Sequence, residues 1–222
     1  IGGAGITNGS TVAGTCGTVG NSAAFVFSIT YDGNQNTGGT APSGTEINAL
    51  TSTTAATNSG SLIKTGFTPA GWNTRADGAG TNYPFGSAIT PSGDTTLYAQ
   101  WTVVAPGAPA VTAASAGNTT VTATVTDVAP SGTTIGPSTS FTVQAFLNDG
   151  TLVAGKTCTF LATASPLSCV ITGLTNGTIY KFKATATNST SSATGSLSSV
   201  TATPAGFTVT YDPNGGSLTP TS

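Results

Sequence analysis

Seven acids, three cysteines and no histidine are the side chains from which any acid-base, nucleophilic or metal chemistry would have to be built in this 222-residue chain. Without an imidazole, neither a Ser-His-Asp nor a Cys-His nucleophile can be assembled. The acids are Asp32, Glu46, Asp77, Asp94, Asp127, Asp149 and Asp212. Glycoside hydrolysis needs two carboxyls facing one cleft, about 5 to 10 Å apart. Four of these acids stand in DG or DPNG contexts, where an Asp serves the hydrogen bonding of its own turn. Calcium would suit carboxylates and loop carbonyls, but no DxDxDG run occurs. The expectation is therefore no enzyme, no cofactor and no metal.

The cysteines point to a crosslink. Cys158 and Cys169 flank the turn-rich segment TFLATASPLS. A zinc site needs about four ligands, and Cys16 is the one other sulfur donor. A Cys158–Cys169 disulfide is expected. Closing a loop of about ten residues stabilises by roughly 2 to 3 kcal/mol, and such a bond implies an oxidising, exported location. Cys16 is left over, with three readings open: a bond to another chain, a bond to a cysteine outside this sequence, or no bond.

Trp72, Trp101, Tyr31, Tyr83 and Tyr98 could form a sugar-stacking platform, although five aromatics in one small module more often make its core. Sequons for N-glycosylation begin at Asn8, Asn118, Asn176 and Asn188. In a chain this rich in Asn and Thr, chance matches are expected, and Asn176 also sits in the turn LTNGT.

Charge excludes further classes. A pI near 4.5 with five basic residues argues against phosphate-backbone binding, so no nucleic-acid partner is expected. Disordered chains combine low hydrophobicity with high net charge, whereas this one is 37% hydrophobic with a net charge of −2. No apolar run reaches about 18 residues, so no membrane insertion is expected. The N-terminus lacks the basic start and apolar core of a signal peptide, and the chain reads as a mature or internal piece of something longer.

The elements that must position these groups are strands. Thr, Val, Gly and Ser fill almost every window while good helix formers are scarce, giving a mostly β class. Residues 1–24 form an N-terminal Gly/Thr-rich segment without a clear period. From Phe25, aromatic and aliphatic residues alternate through Tyr31 to a turn at Asp32-Gly33-Asn34. Residues 33–61 are turn formers with Ile47 and Leu50 as anchors, which predicts a long, partly irregular connection. Leu62, Phe67, Trp72, Tyr83 and Phe85 then supply bulk, Ala76 to Gly80 a tight turn, and TTLYAQW a closing strand that ends on Trp101.

The order TYDGN, GFTPAGWNTRADGAGTNY, DTTLYAQW resembles the Listeria-Bacteroides repeat, or internalin B-repeat family, over about residues 25–101. The resemblance implies a β-grasp-like module (25–104) of the kind strung along bacterial surface proteins. Pro69 stands where the family commonly carries an aromatic, which predicts a broken or edge strand there.

TVVAPGAPA, residues 102–110, reads as a proline-stiffened linker. Beyond it, Thr119, Val121, Ala123 and Val125 are expected on one face, as are Phe141, Val143, Ala145 and Leu147. Tyr180, Phe182, Ala184 and Ala186 form a third inward row, with Lys181, Lys183 and Thr185 outward. Short alternating strands separated by turns argue for a sandwich. The opening PGAPAVTAAS and the segment CVITGLTNGTIYKFKATATNS resemble a fibronectin type III domain (105–204) of the bacterial exported kind. That resemblance implies an immunoglobulin-like sandwich of seven strands and a tyrosine corner at Tyr180 after Leu174. Val125 takes the place of the family's usual Trp, so a lighter core is expected, with the disulfide compensating.

Residues 207–216, FTVTYDPNGG, restate 27–36, FSITYDGNQN, at an offset of 180 residues. Segment 205–222 thus reads as the first strand of a further B-repeat, with Phe207, Val209 and Tyr211 as an aromatic-rich face lacking its own sheet. A fixed period is the mark of an array. The chain is therefore expected to be an extracellular, cell-surface structural or adhesive segment, a stalk or spacer whose partners are its own neighbouring repeats or subunits. Two alternatives stay open: a filament subunit donating the strand at 205–222, and a module binding polysaccharide or a host surface.

Overall fold

The computed structural model describes residues 25–207 together with Asn214, and within them the chain is all β, with no helix. Seven strands build a first core: β1 (Val26–Asp32), β2 (Thr45–Asn48), β3 (Thr53–Thr54), β4 (Phe67–Asn73), β5 (Asn82–Tyr83), β6 (Ala88–Ile89) and β7 (Thr95–Val103). Five of them form one sheet in the order β2-β1-β7-β4-β5, and β3 pairs with β6. The first and last strands lie side by side and parallel, with Ile29 opposite Thr95 and Asp32 opposite Tyr98. A central parallel pair flanked by antiparallel neighbours is the β-grasp-like layout. Ile29, Leu62, Trp72, Ile89, Leu97 and Ala99 are buried beneath it.

A β-grasp crossover commonly carries a helix, and here residues 33–61 are irregular apart from β2 and β3. Buried irregular backbone needs partners for its polar groups. Two aromatic side chains supply them: Trp72 Nε1 donates to the Ala56 carbonyl at 2.7 Å, and the Tyr31 hydroxyl accepts from the Ala56 amide at 2.9 Å. Asn58 Oδ1 accepts from the Leu62 amide at 2.7 Å, holding Leu62 against the core. The aromatics therefore fill the core and satisfy the loop together.

Pro69 pairs with Trp101 of β7 immediately before a bulge, where the register shifts between Pro69 and Gly71. On its other side β5 pairs only with Trp72 and Asn73, so the missing N–H at Pro69 lies at an open edge. Gly71, at φ 127°, carries the strand through the bulge. A methyl there would stand 2.9 Å from the Tyr83 carbonyl oxygen.

The second core belongs to a seven-stranded sandwich. Its strands are β8 (Ala110–Gly117), β9 (Thr120–Thr126), β10 (Ser140–Leu147), β11 (Leu152–Leu161), β12 (Ser168–Thr172), β13 (Tyr180–Thr187) and β14 (Ser192–Thr194). One sheet runs β12-β9-β8 and the other β11-β10-β13-β14, every pairing antiparallel. The rows at Val121–Ala123–Val125, Phe141–Val143–Ala145 and Tyr180–Phe182–Ala184–Ala186 all face inward and are buried. Thr119 does not share the first row: it is exposed at φ 54° in the β8–β9 turn. The Tyr180 hydroxyl accepts from the Thr175 amide at 3.0 Å, the back-bond expected of a tyrosine corner. Phe141 stacks on Phe160 at 5.4 Å, adding aromatic bulk to an otherwise Val- and Ala-rich interior.

The expected linker is shorter than its sequence and is docked on the modules. Thr102 and Val103 belong to β7 and Ala110 to β8, leaving six residues, of which Pro106 and Pro109 are buried. Pro106 bridges to Gly136, and the Gly136 amide donates to the Ala105 carbonyl at 2.8 Å.

Candidate functional site

Asp32, Asp77, Asp127 and Asp149 are used by their own turns, while Asp94 Oδ1 accepts from the amide and hydroxyl of Ser28 on β1. Asp32 Oδ1 accepts from the Asn34 amide at 2.7 Å, and Asp127 Oδ1 accepts from the Val128 amide and the Ser138 hydroxyl. Three carboxyls are held below their ordinary range, each chiefly by a backbone amide: Asp77 by Ala79, Asp94 by Ser28 and Asp149 by Thr151. Arg75 adds to the effect at Asp77 through an exposed ion pair of 2.9 Å. Among the described residues no three His, Cys, Asp or Glu side chains converge to hold a metal. Glu46 is exposed on edge strand β2, and Asp212 lies outside the described residues.

Of the platform aromatics, Trp72 is a core residue, packed against Tyr31 at 4.7 Å and edge-on to Phe85 at 5.8 Å. Trp101 is half-buried, and its Nε1 donates to the carbonyls of Gly33 and Asn34. Tyr83 and Tyr98 are half-buried as well.

The Cys158–Cys169 disulfide is present and ties β11 to β12, edge strands of opposite sheets, across one open side of the sandwich. Cys16 and Asn8 lie outside the described residues. So do Val209 and Tyr211, while Phe207 is 86% exposed. Asn118 and Asn176 are exposed and bonded to each other, with Asn176 Nδ2 donating to Asn118 Oδ1 at 2.8 Å.

Asn188 requires a correction. It is only 7% exposed, and the nitrogen that would carry a sugar donates to the Val104 carbonyl at 2.7 Å and the Pro137 carbonyl at 3.0 Å. Its Oδ1 accepts from the amides of Thr190 and Ser191. A glycan on Nδ2 would displace these bonds, so in the folded chain Asn188 is a structural clasp and its sequon is closed.

Around that clasp the two cores meet. Thr190 Oγ1 donates to the Val103 carbonyl at 2.7 Å. The Gly66 amide donates to the Gly132 carbonyl at 2.7 Å and its carbonyl accepts from the Val104 amide at 3.1 Å. A methyl on Gly136 would stand 2.0 Å from the Val104 carbonyl oxygen, so the glycine permits the approach. The joint is thus made by one turn of the first module and two loops of the sandwich, all uncharged and dominated by backbone groups. Charge and periodicity carry no trace of it in the sequence. Its one legible sign is Asn188, whose sequon invites a different reading.

The joint also has a direction. Because β1 and β7 are parallel, the chain enters the first module at Val26 and leaves it past Val103 at the other end. Strand rise puts those ends roughly 35 Å apart. The sandwich has an odd number of alternating strands, so a chain arriving beside the 131–137 and 188–191 loops leaves at the opposite end. There the Gly177 amide donates to the Pro204 carbonyl at 2.8 Å, and the Ala205 amide to the Gly117 carbonyl at 3.2 Å. Both modules are threaded end to end.

A protein of Evansella cellulosilytica described as a Gly-rich membrane protein is 35% identical over 82 residues. The match takes in 35% of this chain and 9% of that relative. A solved structure titled "Myokine structure" aligns with a TM-score of 0.33 at 16% identity, over 45% of this chain and 98% of that one. No helix among the described residues is long and apolar enough to cross a membrane. Residues 27–100, which contain every buried residue of the first core, match the Listeria-Bacteroides repeat domain.

Proposed function

We propose that this chain is a stalk or spacer segment of a secreted bacterial cell-surface repeat protein, in which a B-repeat module alternates with a fibronectin type III sandwich. The observation that carries the reading is the end-to-end threading of both modules through a hydrogen-bonded joint. A tether needs chain ends at opposite poles and a junction that resists hinging. Pulling on the first module along its strands loads the β1–β7 hydrogen bonds together, in shear. Pulling on the sandwich extends it only as far as the disulfide allows, because Cys158 and Cys169, at a sequence separation of 11, lock the loop between them. That bond supports an exported location.

Single-molecule stretching of the full chain between its termini tests this. Two separate unfolding events are expected, and reductant should lengthen one of them by roughly 35 Å, the reach of the released loop. Unfolding of both modules without measurable resistance to force would overturn the reading.

A second reading rests on Phe207, an apolar side chain left exposed where the chain leaves the sandwich. The segment it begins would complete a sheet in a neighbouring subunit, giving a filament. Deleting residues 205–222 should then abolish assembly, and unchanged filaments would reject it.

A further inference from the structure

Two clefts flank a turn that the first module holds over the core-averted face of its sheet. On β7, Tyr98, Gln100 and Thr102 alternate with the buried Leu97 and Ala99, which places them on that face. The turn from Thr74 to Gly80 lies across it and is fixed by three amide side chains. Asn34 Nδ2 donates to the carbonyls of Ala76 and Ala99 at 2.9 and 2.8 Å. Gln100 Nε2 donates to the Arg75 carbonyl at 3.3 Å. The fully buried Asn73 accepts from the amides of Arg75 and Gly80 and donates to the Gly78 carbonyl. One cleft, about 390 Å³, opens beside Tyr83, Pro84, Gln100 and Thr102. The other, about 370 Å³, opens between Tyr98 and the exposed Arg75–Asp77 pair.

The groups facing these clefts select a ligand class. The second cleft has Tyr98, an amphipathic ring suited to stacking, whereas Tyr83 at the first pairs with the buried Trp72 and packs against the core. Within the described residues the hydroxyls of Tyr83 and Tyr98 have no protein hydrogen-bond partner, and neither do Asn82 Nδ2 and Gln100 Oε1. Donors and acceptors are thus both on offer. The one full charge of each sign is already paired, Arg75 with Asp77, so neither an anion nor a cation has an uncompensated partner here. A ligand with apolar ring faces and many hydroxyls meets all of these conditions, and the rigid turn lowers the ordering cost of binding it.

We propose that the Thr74–Gly80 turn and the sheet face beneath it form a binding site for neutral oligosaccharides, with Tyr98 stacking on a sugar ring and Arg75, Asn82 and Gln100 bonding sugar hydroxyls. The site goes beyond the stalk reading and is tested separately from it. Isothermal titration of the full chain against cellohexaose, chitohexaose, xylohexaose and mannohexaose, with oligogalacturonate as the acidic comparison, is the measurement. At least one neutral hexasaccharide should bind. Tyr98→Ala should weaken it tenfold or more, Tyr98→Phe less than threefold, and Arg75→Met by an intermediate factor, each variant checked for an unchanged first melting transition. If Tyr98→Ala does not fold, the Arg75→Met variant carries the test. No binding by any neutral hexasaccharide, preference for the acidic oligomer, or affinity unchanged in these variants would overturn the proposal, whatever the stretching experiment returns.

Discussion

The two modules solve one problem, sending the chain in at one pole and out at the other, by different physics. The first uses a mixed sheet whose first and last strands are parallel neighbours, joined by a long crossover with little regular structure. Its interior depends on a few large aromatics that also hydrogen-bond the crossover. The sandwich uses seven antiparallel strands, Val and Ala rows with two phenylalanines, and a covalent tie. The first module therefore concentrates its stability in single side chains, while the second spreads it over a ladder and one bridge. Low charge fits both, since among the described residues neither interior contains an ion pair.

That contrast breaks most sharply at the large core residues. Trp72→Ala should cost the first module about 3 to 5 kcal/mol, together with the loss of the Ala56 carbonyl's partner, and abolish its melting transition while the sandwich still melts at its usual temperature. Phe141→Ala should do the converse. Scanning calorimetry of both variants checks this, and a joint loss of both transitions would show that the modules fold as one unit.

Next in size is the bridge. Cys158→Ser should lower the stability of the sandwich by roughly 2 to 3 kcal/mol and leave the first transition in place, as should reductant acting on the native chain. Chemical denaturation with Tyr and Trp fluorescence separates the two, because both tryptophans lie in the first module.

The clasp should matter less to melting and more to shape. Asn188→Ala removes two donated bonds to backbone carbonyls, worth about 1 to 2 kcal/mol. Small-angle scattering should show a shorter average end-to-end distance as the joint loosens, with the first transition unchanged and the sandwich transition lowered by several degrees, since the bond to Pro137 lies within the sandwich.

The smallest effect is on acid sensitivity. Asp77 and Asp94 in the first module, and Asp149 in the sandwich, have folded values below the ordinary 3.8. A depressed carboxylate contributes stability that is present above the unfolded value and is lost as pH falls through the folded one. Melting curves from pH 5 to pH 2 should show the first module losing slightly more than the sandwich below about pH 4. Asp94→Asn should flatten that difference, because the amide cannot change charge.

Local pattern reached far into this molecule. Alternation along β9, β10 and β13 identified the inward rows, and the spacing of Cys158 and Cys169 identified the bridge. The Asp-Gly turns were legible because turn chemistry acts over a few residues, whereas the back-bond of Tyr180 was expected only from the resemblance to a fibronectin type III domain. Thr119 escaped for the same reason in reverse: extending an alternating row one step past a strand end ignores the turn that stops it. Asn188 escaped because a sequon is defined by three consecutive residues, whereas its role is set by carbonyls 84 and 51 residues away.

By itself the sequence determined an all-β chain of two cores, the identity of most buried side chains, the disulfide and the first module's likeness to a repeat family. Tertiary structure alone decided that β1 and β7 lie parallel, that Trp72 and Tyr31 stand in for a helix's internal hydrogen bonds, that Asn188 locks the joint, and that a pinned turn opens two clefts on a sheet face. The physical reason is that a side chain's preference for burial is written in its own chemistry and its neighbours' period. Which backbone carbonyl it meets depends instead on closing loops of 60 to 90 residues, as with Trp101 on Gly33 and Thr190 on Val103, 68 and 87 residues apart.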